Sequence, residues 1–117
     1  MHYTEITNEE QWREVCDETT NKPAILFKHS TRCPISAGAF DELQAYWEDA
    51  PNEAYDYYMI DVLRARSVSN LIAEELGVQH ESPQLICVEG KQAKWHASHW
   101  TITYSYLIDN LNGGRAD

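Results

Sequence analysis

Pro23-Ala24-Ile25-Leu26-Phe27-Lys28-His29-Ser30-Thr31-Arg32-Cys33-Pro34-Ile35-Ser36 is the stretch that decides how this chain folds. Its first half, Pro23 to His29, contains the continuous apolar block Ala24-Ile25-Leu26-Phe27, the pattern of a strand buried on both faces. Its second half opens a helix at Pro34, where a missing N–H costs nothing. That helix carries Phe40, Leu43 and Trp47 on one face and ends near Ala50-Pro51. Cys33 therefore stands at a strand-to-helix junction. A helix start leaves N–H groups unpaired and carries roughly half a positive charge, so it favours thiolate over thiol. The thiolate is the nucleophile, and an ordinary cysteine of pKa about 8.5 is only about 3% ionised at pH 7.

Cys33-Pro34-Ile35-Ser36 differs from a C-x-x-C redox pair in one atom, because Ser36 stands where the second sulfur would be. Serine cannot close an intramolecular disulfide. A C-x-x-S site can attack a mixed disulfide and keep the small thiol on itself, and a further thiol must then release it. Ser36 either donates a hydrogen bond to the thiolate or satisfies a first-turn N–H. The same four residues would also serve merely to finish a helix end.

Composition narrows the alternatives. A chain of 117 residues is one domain of ordinary size, expected over residues 1–112 with Gly113 to Asp117 as a flexible tail. The polar start, Met1 to Glu10, has no apolar run and reads as neither secretory signal nor membrane span, so a cytoplasmic location is expected. Three cysteines without repeated spacing fit a reducing compartment rather than a disulfide framework. The net charge of −10 opposes binding to nucleic acid or anionic lipid.

Charge distribution says more. None of the 19 acidic residues lies between Thr19 and Phe40, which include Lys22, Lys28, Arg32 and Cys33. A second acid-free stretch, Gly90 to Ile108, contains Lys91, Lys94, His96 and His99. Buried strands exclude carboxylates in any case, but if the fold joins the two stretches an anionic small molecule would be drawn there.

The remaining elements follow from periodicity. Thr7-Asn8-Glu9-Glu10 has the spacing of a capping box, and Trp12, Val15 and Cys16 continue it as a first helix that Lys22-Pro23 ends. Tyr55 to Val62 reads as a strand, Val68 to Leu76 as a helix, and Gly77 as its stop. Gln84 to Val88, the turn Glu89-Gly90-Lys91 and Gln92 to Ala97 form a hairpin, and a last helix covers about Thr103 to Asn110. The order α-β-α-β-α-β-β-α matches the α/β thioredoxin fold, with a central mixed four-stranded sheet flanked by helices. In that fold a cis proline precedes the third strand and faces the cysteine, and Ser82-Pro83 occupies the slot.

With these elements in place the chain resembles the YtxJ-like monothiol bacilliredoxins over most of its length. The residues that carry the resemblance are Leu26-Phe27-Lys28-His29-Ser30-Thr31 leading into Cys33-Pro34-Ile35-Ser36, Arg66-Ser67-Val68-Ser69-Asn70, His80-Glu81-Ser82-Pro83-Gln84, Trp95-His96 and Ser98-His99-Trp100. The resemblance implies removal of bacillithiol from protein mixed disulfides, with Cys33 as attacking thiol and Pro34 and Ser36 completing the catalytic motif. It implies no bound cofactor, bacillithiol as co-substrate, and bacillithiolated client proteins as partners. Bacillithiol carries a malate whose carboxylates need cations and donors. Lys28, His29 and Arg32 are the local candidates, with Arg64 and Arg66 as further ones, while Ser82 and Pro83 would present backbone to the incoming disulfide. Alternate residues of a strand face opposite ways, so sequence leaves open which of Lys28 and His29 points at the ligand.

The other reactive side chains read as structural. Cys16 lies on the apolar stripe of the first helix. Cys87 lies four residues beyond Pro83, roughly 13 Å along an extended strand, and is expected in the core. His96 and His99 invite a metal reading, but an odd offset on a strand would put their rings on opposite faces, and no carboxylate or cysteine adjoins them. The tryptophans should wall the sheet or its groove. A non-catalytic redox sensor or interaction module remains the alternative to an enzyme, and a monomer is the default. A cluster-binding role is disfavoured because no glycine-phenylalanine motif follows the cysteine.

Overall fold

A computed structural model of the chain describes residues 2–113. The expected tail, apart from Gly113, lies outside them. The order is β1 (Thr4–Glu5), α1 (Glu9–Glu18), β2 (Ala24–His29), α2 (Pro34–Asp49), β3 (Asp56–Asp61), α3 (Arg66–Leu76), β4 (Gln84–Glu89), β5 (Gln92–Ser98), a 3-10 turn (His99–Thr101) and α4 (Tyr104–Leu111). The sheet runs β1-β3-β2-β4-β5. β1 and β2 lie parallel to β3, whereas β4 is antiparallel to both β2 and β5. This is the thioredoxin fold.

The sheet has five strands rather than the expected four. Thr4 and Glu5 are exposed and too few to show an alternating pattern, so nothing in their composition marks them. Their backbone joins the free edge of β3, and Ile6 follows with its N–H donated to Met59 O at 2.9 Å. The cap of α1 also sits one residue later than the Thr7 capping box predicts. Asn8 is the N-cap, its Oδ1 accepting from Gln11 N–H, while Gln11 Oε1 accepts the Thr7 N–H. Asn8 caps the Gln11 N–H, but Gln11 Oε1 returns its bond to Thr7 rather than to Asn8, so the two halves of a capping box are divided between neighbouring residues.

Every residue of β2 is buried, because helices cover both faces of the sheet. Ile25 and Phe27 join Leu43, Tyr46 and Trp47 of α2 and Leu107 of α4 on one face. Ala24 and Leu26 join Trp12 of α1 and Val68 and Ile72 of α3 on the other. Each large apolar side chain buried this way contributes about 1.5–3 kcal/mol. Gly77 stops α3 at φ +67°, a conformation that suits glycine. Gly90 and Lys91, both at positive φ, form the two-residue turn of the β4–β5 hairpin. That turn docks on the end of α1 through Gly90 N–H to Thr19 O and Lys91 N–H to Thr19 Oγ1.

Candidate active site

Cys33 is the N-cap of α2, with extended backbone (φ −105°, ψ 121°), and its N–H donates to Ser30 O at 3.2 Å. Pro34 opens the helix and the first turn holds no acid. The thiol is half-buried. It lies at the C-terminal end of β2, where the N-terminus of α2 directs unpaired N–H groups outward.

Strand alternation separates the two β2 residues that sequence left together. His29 shares a face with Phe27, stacks against Phe27 and Phe40 at centroid distances of 5.4 and 5.2 Å, and is hydrogen-bonded through Nδ1 to Ser36 Oγ at 2.6 Å. Burial lowers the pKa of His29 against an opposing pull from Asp61. Ser36 is fully buried, and its Oγ also accepts the Ser30 N–H at 3.0 Å. That N–H belongs to the loop before the helix, so the structure corrects the first-turn reading of Ser36. The serine ties the β2–α2 loop down from below.

Lys28 points to the opposite face and is fully buried. Its Nζ donates to Ser69 O at 2.9 Å and lies 3.3 Å from His80 Nδ1. Burial lowers its pKa from 10.5 to about 8. An ammonium enclosed in this way is a strut between β2, α3 and the segment before β4, and it does not present a surface cation to a ligand. Arg32, by contrast, is exposed beside Cys33.

Ser82-Pro83 is a cis peptide bond. Pro83 is buried and its carbonyl accepts the N–H of His99 at 3.0 Å. Ser82 Oγ is buried with no hydrogen-bond partner among the described residues. Of the second acid-free stretch, Ser98 and His99 lie at this end of the sheet, whereas Lys91 lies at the hairpin turn beside Thr19, toward the start of β2. β5 ends at Ser98 and His99 opens the 3-10 turn with φ +54°. The odd-offset argument about His96 and His99 therefore does not apply, because only His96 is on the strand. Trp95 packs on the core and on Tyr106, whereas Trp100 is 77% exposed.

Sequence reading missed Asp61. It lies opposite His29 on β3, is buried, and accepts the N–H groups of Leu63 and Arg64 at Oδ1. The signal was present, since an aspartate ending a strand commonly turns the following chain this way. The other thiols are set apart. Cys87 is buried opposite Ile25, near the start of β2, and burial pushes its pKa up to about 11. Cys16 is half-buried on α1, its pKa also raised by burial.

Comparison with known proteins agrees with this arrangement. A solved protein whose description assigns it a thioredoxin fold and, provisionally, oxidoreductase activity is 31% identical, each chain covered to 92%, with a TM-score of 0.78. Thioredoxins of Malassezia sympodialis and Fasciola hepatica share the fold at TM-scores of 0.74 and 0.71, with identities of 14% and 10%. The alignment covers 96% of this chain in both cases, with 90% of the first and 99% of the second. Thiol redox chemistry follows from the family and the fold together. Residues 4–107 match the family model described as monothiol bacilliredoxin BrxC, and the chain belongs to that family.

Proposed function

We propose that the protein is a monothiol oxidoreductase that removes bacillithiol from protein mixed disulfides. The observation that carries this reading is the isolation of Cys33 among the chain's thiols. Position 36 holds a buried serine bonded to His29. Cys87 lies opposite Ile25, four residues or about 13 Å of strand before the end of β2. Among the described residues no resolving thiol adjoins Cys33, so an adduct formed there waits for an external one.

The reaction balances in two exchanges. The Cys33 thiolate attacks the bacillithiol sulfur of the mixed disulfide, forming a Cys33–bacillithiol disulfide and releasing the client as a thiolate that takes up a proton. A second bacillithiol thiolate then attacks the adduct, giving bacillithiol disulfide and restoring Cys33. Bacillithiol is co-substrate, no bound cofactor is needed, and the backbone of Ser82 offers the client a short strand-like partner. Bacillithiolated proteins of a reducing cytoplasm are the partners, and a monomer suffices.

Intact mass spectrometry after mixing with a bacillithiol-modified test protein examines this directly. Wild type should take up one adduct on Cys33 and turn over further substrate once free bacillithiol is added, whereas Cys33→Ser should do neither. A single modification per molecule with no turnover would instead describe a redox sensor. Full activity in Cys33→Ser would refute the mechanism.

A further inference from the structure

β2 and β3 run parallel with His29 opposite Asp61, and Val62 N–H donates to His29 O at 3.0 Å. The loops that follow the two strands therefore leave the sheet side by side. α2 starts from one and α3 from the other, on opposite faces of the sheet. This is the type of crevice, outside the carboxyl ends of adjacent strands, in which open α/β sheets hold ligands. Here it is a depression lined by Thr31, Arg32, Leu63 and Arg64.

Its two cations are at most loosely paired. Elsewhere on the surface Arg13, Lys22 and Lys91 each pair with an acid at 3.2 Å or less, whereas exposed Arg66 and Lys94 have no ion pair among the described residues. Arg32 has no ion pair among the described residues. Arg64 reaches Asp61 only at 3.9 Å and its side chain is 89% exposed. The Asp61 carboxylate is buried and already accepts two backbone N–H groups, so it does not fill the crevice. Two exposed guanidiniums, of which only Arg64 has a long ion pair, flank this one depression in a chain of net charge −10. Each offers a planar fork matched to a carboxylate, and two helix N-termini add positive potential beside them.

We propose that Arg32 and Arg64 form a two-pronged subsite for the dicarboxylate end of the small thiol whose sulfur Cys33 holds. This rests on the de-thiolation reading. Arg32 adjoins Cys33 in sequence, so a ligand linked to the Cys33 sulfur can extend over Thr31 and Arg32 toward Arg64. The subsite distinguishes a thiol bearing two carboxylates from a neutral one, and so selects the small thiol independently of the client.

The test compares one protein substrate carrying either bacillithiol or the neutral thiol 2-mercaptoethanol, and reads the ratio of second-order transfer rates. Wild type should favour the bacillithiol adduct, and Arg64→Ala or Arg32→Ala should each lower that ratio about tenfold. Arg64→Lys, which keeps charge but loses the fork, should fall between. The preference should also shrink as salt is raised. A second readout uses L-malate alone: titration of the reduced protein should shift the backbone amides of Thr31, Arg32, Leu63 and Arg64 saturably, and Arg64→Ala should weaken the effect. Malate binding without any thiol transfer would overturn the proposed reaction and leave the subsite standing. A ratio that the arginine substitutions do not move, or malate shifts absent from wild type, would overturn the subsite.

Discussion

Lys28 provides the most quantitative prediction. Its ammonium is fully buried, with one carbonyl, Ser69 O, and the ring nitrogen of His80 as neighbours, and no carboxylate pairs with it among the described residues. Its pKa falls from 10.5 to about 8 because charge is costly to bury. For a base with a lowered native pKa the unfolded chain binds more protons between the two values, so native stability rises with pH across that window. With those two values, the charge penalty is about 3 kcal/mol at pH 7 and about 1 kcal/mol at pH 10. Lys28→Met removes the titrating group and leaves a side chain of similar length. Whatever pH-independent gain or loss the methionine brings, the stability of the variant relative to wild type should fall by about 2–3 kcal/mol between pH 7 and pH 10. Urea denaturation of both proteins at the two pH values measures this; the subtraction cancels the titrating groups that do not feel Lys28, and His80, whose pKa burial and Lys28 lower, titrates below this window. A stability difference that stays constant with pH would refute the argument. It would mean that the ammonium keeps its charge at no cost, through water or a partner that the fold does not otherwise require.

Two further outcomes follow from the site. Ser36→Ala should cost about 1–3 kcal/mol in urea denaturation, because the Ser30 N–H and His29 Nδ1 both lose their buried partner. A loss under about 0.5 kcal/mol would mean that the loop finds another anchor. Brief iodoacetamide treatment of the native protein near neutral pH should modify Cys33 first, with Cys87 labelled only in denaturant, since burial keeps that thiol protonated and inaccessible. Peptide mapping that finds Cys87 labelled as fast as Cys33 would contradict the packing of β4.

The order of the main elements was legible in the chain because each declares itself locally. The apolar block of β2, the proline opening α2, the glycine ending α3 and the turn between β4 and β5 are all properties of neighbouring residues. Cys33 was legible for the same reason, since a strand-to-helix junction is a local event. β1 was not, because two exposed residues become a strand only when β3 offers a free edge. Nor was the orientation of Lys28 and His29. Alternation made them opposite, but which face met α2 and which met α3 depended on where those helices packed. Ser36 likewise fits its motif in sequence, yet its role is set by His29, seven residues earlier and across the loop. What sequence determined alone was the placing of Cys33 at a helix start, the missing second sulfur and the order of the main helices and strands. Tertiary structure alone decided that Lys28 is an interior strut, that Ser36 anchors the loop, and that Arg32 and Arg64, 32 positions apart, share one crevice. Local pattern depends on neighbours along the chain, whereas a charge's environment depends on residues that only the packed sheet brings together.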